Sequence, residues 1–215
     1  MDIATSYGLS YGLALSSGVN AYFPLLAFTI AVRWLHLYKV NPAFSFVTQT
    51  WFMVALAILA VLDLFADKIP LVDHLWDAVH TAIRPLAGAL VAAASNNQFH
   101  IPNTTTLVGN HVVTMGVNVP ATLVVVMVIG AALALMTHTT KAATRVASTT
   151  TTAGLLNIVL SFVEDIGVVI ATLLSLFAPV VMFVVVILFV LIFLLLARSI
   201  IRLFNRRRKQ RVGYM

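Results

Sequence analysis

The sequence predicts an all-α integral membrane protein: a polytopic helix bundle with interrupted or re-entrant segments and a faint two-fold internal repeat. Three observations lead there. Of 215 residues, 61% are apolar and only 9% are charged, whereas soluble domains carry about a quarter of their residues as charged ones. Residues 166–197 contain no charge at all, and about twenty apolar residues already span a bilayer. The apolar runs are continuous rather than alternating, so the spans are helices and not the strands of a closed barrel.

Taken in order, the first apolar region covers 11–37 and holds Ser16-Ser17-Gly18-Val19-Asn20-Ala21-Tyr22-Phe23-Pro24. Gly, Asn and Pro so close together in an apolar run predict a broken helix or a very close helix contact. Arg33, His36 and Lys39 mark its end, and Asn41-Pro42 begins a turn. Residues 51–66 form a clean span that ends in Asp63, Asp67, Lys68 and Pro70. The segment 72–94 is amphipathic at first, with Asp73, Asp77, His80 and Arg84 on one helical face. Residues 95–120 read as a polar loop. The next span, 121–136, leads into His138, Lys141 and Arg145, and a small-residue segment, 153–163, carries Gly154 and Asn157. The final stretch, 166–203, would measure about 57 Å as one straight helix. That exceeds one simple crossing, so Pro179 is expected to divide it. The Gly/Asn segments of the two halves are the basis of the faint repeat, a build common in transporters.

The formal net charge of +6 is local. Seven of the thirteen basic residues are Arg198, Arg202, Arg206, Arg207, Arg208, Lys209 and Arg211, which leaves six Lys/Arg against seven Asp/Glu elsewhere. A basic cluster directly after a long span is a cytoplasmic flank attracted to anionic lipid, not a nucleic-acid patch. The expected organisation is one transmembrane domain, 1–205, with a basic cytoplasmic tail, 206–215. Met1-Asp2-Ile3 has no basic n-region, so the N-terminus is expected to be retained. With no Cys in the chain, disulfide, Fe–S and thiolate chemistry are excluded.

Every acidic residue except Asp2 falls in one of two places: Asp63, Asp67, Asp73 and Asp77, or Glu164 and Asp165. An ionised group in lipid costs about 2.5–3.5 kcal/mol even on lenient scales. These carboxylates must therefore pair with Lys68, Arg84, Lys141 and Arg145, line a wet cavity, or lie at the interface. His74 and His80, within the acidic segment, are candidate proton carriers; His138 reads equally well as an interfacial polar residue. Asn20 and Asn157 are expected to approach one central site from two interrupted helices, because an Asn amide in a bilayer needs partners. The Asp-x-x-x-Asp pairs beside Arg and Lys also resemble, loosely, sites that hold a lipid diphosphate through Mg²⁺.

The runs Gly18-Val19-Asn20-Ala21-Tyr22-Phe23-Pro24-Leu25-Leu26, Asp67-Lys68-Ile69-Pro70, Asp73-His74-Leu75-Trp76-Asp77 and Arg84-Pro85-Leu86-Ala87-Gly88 resemble an uncharacterised bacterial membrane family, the domain-of-unknown-function family numbered 4126. Lys141, Arg145, Asn157 and Glu164-Asp165 fit the same pattern, which has Glu where this chain has Asp63. The resemblance covers nearly the whole chain and implies a multi-pass protein of the bacterial inner membrane, but no activity.

The residues themselves point first to a transporter or channel for a small ion or polar solute, with proton coupling, as a homo-oligomer in the lipid bilayer. No cofactor and no nucleic-acid partner is expected. The alternatives are an intramembrane Mg²⁺-dependent enzyme on a lipid phosphate or diphosphate, and a non-catalytic membrane scaffold whose ion pairs only lock helices together.

Overall fold

Asp2 caps the first helix, α1 (Ile3–Ser17), by accepting the Thr5 amide at 3.2 Å. The helix ends at Gly18, and the Asn20 side chain then accepts the amides of Tyr22 and Phe23 at 3.1 and 2.8 Å. That starts α2 (Phe23–Arg33), whose Pro24 lies in the first turn, where its missing N–H costs nothing. A 3-10 turn (Pro42–Thr48), opened by Asn41, bends into α3 (Thr50–Ala66) at 63°. There follow α4 (Val72–Ser95), strands β1 (Asn103–Val108) and β2 (His111–Val117), α5 (Ala121–Thr152), α6 (Leu155–Phe177) and α7 (Pro179–Val212). The computed structural model describes residues 2–66, 72–98, 103–108, 111–117, 120–152 and 155–212, with side chains described except at 72–75, 77, 103–108, 111–117 and 203–212.

Four helices, α4 to α7, are long and apolar enough to cross a membrane, and α3 with its 3-10 turn makes up to a fifth. The predicted polytopic helical membrane fold is therefore what the chain adopts. Large apolar side chains stay exposed along α3, α6 and α7, among them Phe65 at 59%, Ile170 at 59% and Leu195 at 65%. Surface of that kind belongs in lipid, not in water.

The first two helices do something else. The start of α1 is tied to the end of α4, through Ser95 Oγ donating to Ser10 Oγ (3.2 Å) and Gln98 Nε2 donating to Ser6 Oγ (3.0 Å). The chain leaving α2 returns to the same place: the Asn41 amide donates to Ala94 O (2.9 Å), and Asn41 Nδ2 to Asn96 O (3.0 Å). Both ends of the α1–α2 pair therefore lie on one face, called here the N-terminal face, and the break between them dips into the bundle. At 15 and 11 residues, the two arms reach about 22 and 16 Å at 1.5 Å per residue. This is a re-entrant hairpin. Its first arm is the central element, packed on α4, α5, α6 and α7, with Leu9, Leu13 and Ala14 fully buried.

Close packing around it relies on missing side chains. A Cβ on Gly88 of α4 would stand 2.7 Å from Gly130 O, and one on Gly130 of α5 would stand 2.6 Å from Gly88 O. The two backbones therefore approach as small-residue pairs allow in membranes.

Three sequence expectations need correction. Residues 95–120 are not simply loop, because β1 and β2 pair antiparallel there. The span begun at 121 does not end at 136. α5 continues to Thr152, and its hydroxyls are satisfied on the turn before them: Thr140 Oγ1 to Met136 O (2.9 Å), Thr149 Oγ1 to Arg145 O (2.9 Å) and Thr152 Oγ1 to Ser148 O (2.8 Å). Nor do Glu164 and Asp165 close a short segment. They sit inside α6, which runs unbroken from Leu155 until Pro179 opens α7, as expected of that proline. The second Gly/Asn segment falls at the junction of α5 and α6: α5 ends at Thr152, α6 begins at Leu155 with Asn157 in its first turn, and Ala153 and Gly154 lie outside the described residues.

Candidate functional site

The tip of the re-entrant hairpin ends against a set of buried charges. Asp63 on α3, His80 and Arg84 on α4, and His138, Lys141 and Arg145 on α5 are each at most 5% exposed. Helical periodicity brings them together: His80 and Arg84 are four residues apart, and His138, Lys141, Arg145 and Ser148 recur every three or four residues along the buried face of α5.

Asp63 is the hub of the first half. It accepts the Trp76 indole N–H at 2.7 Å and lies 3.6 Å from His80 Nε2 and 3.8 Å from Arg84 Nη2. The His80 Nδ1 faces the Trp76 carbonyl at 2.9 Å, so that nitrogen carries the proton and donates. His80 Nε2 then meets the Tyr22 hydroxyl at 3.2 Å, from the hairpin tip. On His138 the order is reversed. Its Nδ1 stands 2.5 Å from Arg84 Nη1, and because guanidinium only donates, Nδ1 accepts and the proton sits on Nε2. That N–H reaches Thr81 Oγ1 at 3.1 Å. Pro85, inside α4, has no N–H to donate to the carbonyl one turn back.

Glu164 on α6 is the hub of the second half. Its Oε2 lies 2.9 Å from Arg145 Nη2 and 3.7 Å from Lys141 Nζ. Lys141 also donates to Val19 O at 3.4 Å, a carbonyl set free by the break after α1. Backbone from an interrupted helix and side chains from four neighbours thus converge on one volume. The α1 C-terminus brings partial negative charge to a lysine, and the α2 N-terminus brings partial positive charge to the same region.

A groove of about 350 Å³ opens beside this cluster between α2, α3 and α6. Its walls are apolar (Leu26, Val61, Val168 among them), and Asn20 and Asp165 stand in it.

Most of the residues expected to form the site are brought together: Asp63, His80 and Arg84 in one half, Lys141, Arg145 and Glu164 in the other, with Asn20 and Asp165 in the adjoining groove. Asn157 is placed apart from Asn20. It sits in the first turn of α6, donates to Thr149 Oγ1 at 2.9 Å, and lies about 12 Å along the helix from Asp165. Asn157 does not line the groove that holds Asn20; it sits just after the junction between α5 and α6. Asp67 and Lys68 lie outside the described residues, as do the side chains of Asp73 and Asp77. Sequence reasoning missed Trp76, Tyr22 and Thr81, and read His138 as a possible interfacial group. Trp76 was within reach, four residues before His80 on a helical face already identified; nothing local marks Tyr22, whose role depends on the fold back to α4.

Fold and site together define a class: a polytopic helical membrane protein with a re-entrant hairpin pointed at a buried ionic cluster. Within that class, the chain belongs to the family described as domain of unknown function DUF4126, which matches it over residues 8–199. No curated protein and no solved structure matches the chain.

Proposed function

We propose that this protein carries a small ion or polar solute across the membrane, with proton coupling, through the cluster at the tip of the re-entrant hairpin. One observation supports this reading above the others: the broken α1–α2 pair delivers a backbone carbonyl, an asparagine and a tyrosine hydroxyl to ionisable side chains buried inside the bundle. Irregular backbone at membrane depth is tolerated only where it is buried in protein or lines a cavity, and transporters build substrate sites from such breaks. Ionisable groups at that depth are expensive and mark pathways and proton relays.

His80 is the proton-coupling element. With Nδ1 donating to the Trp76 carbonyl, Nε2 is the nitrogen left to gain or lose a proton. It faces both the Tyr22 hydroxyl and Asp63. Protonation there creates an ion pair with Asp63, and that competes with Arg84 for the same carboxylate oxygen. A rearrangement of α4 against the hairpin tip follows from the same competition.

The C-terminal tail is cytoplasmic, in a bacterial inner membrane, because Arg206, Arg207, Arg208, Lys209 and Arg211 follow the last span. The short chain works as a homo-oligomer, with the lipid-exposed faces of α6 and α7 available for contact between copies.

The test is flux in proteoliposomes containing the full-length protein, read with a pH-sensitive dye and with radiolabelled or ion-selective probes for small solutes. Asp63→Asn and Glu164→Gln are expected to lower the wild-type flux at least tenfold while the protein still elutes as a folded species from size exclusion. Wild-type protein that moves nothing, or both variants at full rate, would overturn the proposal.

A further inference from the structure

Helix α6 carries a second polar feature that the charged cluster does not use. Ser161, Asp165, Val168, Thr172 and Ser175 recur at spacings of 4, 3, 4 and 3, which is a single helical face. From Ser161 to Ser175 that face rises about 21 Å, most of the hydrocarbon thickness of a bilayer. Ser161, Thr172 and Ser175 are fully buried, although α6 lies in a protein whose other faces offer lipid-like surface.

The face is turned toward α1. A Cβ on Gly12 would fall on Ser175 Oγ, so these two residues touch. The helices run antiparallel, which brings Ser16 to the level of Thr172 and Asn20 to the level of Asp165. The last pair does share the groove of about 350 Å³. At the N-terminal face the seam ends beside Tyr38, whose hydroxyl donates to Leu176 O at 2.5 Å. Burial pushes this phenol above its ordinary pKa, so it remains a donor. Tyr38 also lines a separate pocket of about 380 Å³ with His36, Lys39, Asn97 and Gln98. At the opposite end, Ser148 of α5 stands level with Ser161, because Arg145–Glu164 pairing sets the α5–α6 register.

Small hydroxyl residues often do no more than let helices pack. In that role the hydroxyl bonds back along its own helix, as Ser16 Oγ does to Gly12 O (3.0 Å) and Ser175 Oγ to Ala171 O (2.7 Å). Ser161, Thr172 and Ser148 behave differently: their buried hydroxyl oxygens have no hydrogen-bond partner among the described residues. Buried polar groups in native proteins are paired with protein or with water. Two unpaired hydroxyls on this face of α6, Thr172 beside α1 and Ser161 beside Ser148 of α5, with a carboxyl and an amide between them, suit a file of water.

We infer that this face of α6, covered by α1 at one end and by α5 at the other, is a water-lined path for a small hydrated cation, a proton or a monovalent metal ion, closed in this structure where Gly12 meets Ser175. The seam offers oxygen atoms and one carboxyl. The nearest buried cation, Arg145 of α5, is paired with Glu164 at 2.9 Å. This inference rests on the transport reading for its cargo, but its geometry can be tested alone.

The chain has no Cys, so single-cysteine variants of the full-length protein need no prior engineering. Ser161→Cys and Thr172→Cys, both near-isosteric, are compared in proteoliposomes with Ile170→Cys and Leu173→Cys, whose positions are 59% and 47% exposed on the lipid side of the same helix. A cysteine thiolate in water attacks the sulfenyl sulfur of aminoethyl methanethiosulfonate, forming a mixed disulfide and releasing methanesulfinate, whereas a thiol in lipid hardly reacts. The seam variants are expected to react at least tenfold faster than the controls; equal rates would overturn the inference. In parallel, Thr172→Val and Asp165→Asn are expected to lower cation flux at least fivefold, with a pH dye reading protons and ion-selective electrodes reading potassium and sodium. If wild-type flux is present but unchanged in both variants, the path lies elsewhere and only the transport reading survives. If the seam reacts with the reagent while wild-type protein moves no cation, the water file stands and the cation role falls with the transport reading.

Discussion

Asp63 shows how a single carboxylate is kept inside an apolar bundle. One oxygen takes the Trp76 indole N–H at 2.7 Å and has His80 and Arg84 within 3.8 Å. A hydrogen bond to a charged group is worth about 1.5–3 kcal/mol, and the guanidinium nearby offsets part of the desolvation of both ions. Trp76→Phe keeps the ring stacked near His80, at a centroid distance of 4.7 Å in the native protein, but removes the donor. We expect it to destabilise the folded protein by about 1.5–3 kcal/mol, measured by denaturant unfolding in mild detergent. The same change made on an Asp63→Leu background should cost much less, since the acceptor is already gone. Equal costs on both backgrounds would mean that the indole N–H contributes nothing to holding Asp63.

At the scale of elements, the contact between α4 and α5 decides where the two halves of the cluster meet. Gly88 and Gly130 let those helices approach until each backbone carbonyl lies where the other residue's Cβ would be. Arg84 and His138 sit one turn and two turns further along from that contact, and their 2.5 Å approach depends on it. Overpacking a tight contact costs about 1–3 kcal/mol. Gly88→Ala should therefore lower the melting temperature in detergent by several degrees, while Leu86→Ala, at a position 70% exposed to lipid, should change it far less. A Gly88→Ala protein that melts with the wild type would show that α4 and α5 have room to shift.

For the whole molecule, the re-entrant reading fixes a parity. The α1–α2 pair enters and leaves by the N-terminal face; with α3 to α7 as five crossings, the upper number that their length and composition allow, the two termini are expected on opposite sides of the membrane. If the basic tail is cytoplasmic, as we propose from its position after the last span, the N-terminus is expected to be external. Reporters that work only in the cytoplasm, fused separately to each terminus, should be active after Met215 and silent before Met1. Activity at both ends would mean that α1 and α2 form a complete crossing; activity at the N-terminus alone would reverse the orientation.

Membrane class, helical content, the breaks at Gly18–Asn20 and Pro179, and the segregation of charge were all determined by the sequence itself. They follow from local chemistry: unbroken apolar runs, residues that cannot continue a helix, and ionisable groups that cannot face lipid. The β-hairpin was also within reach, since Thr104-Thr105-Thr106 and Val112-Val113-Thr114 flank Gly109-Asn110, a β-branched pattern around turn-forming residues. Other features were decided only in three dimensions. The polar run after Met136 stays helical with one face buried, where Arg145 finds Glu164 nineteen residues away. Asn20 shares a groove with Asp165, and not with Asn157, because α1 packs against α6 in a register that residue types do not encode. That α1 and α2 turn back to one face, and carry Tyr22 to His80 across 58 positions of sequence, depends on distant contacts at Ser95, Asn96 and Gln98. Hydrophobicity can say that a segment is buried in a membrane protein, but only packing decides which face of it meets which neighbour.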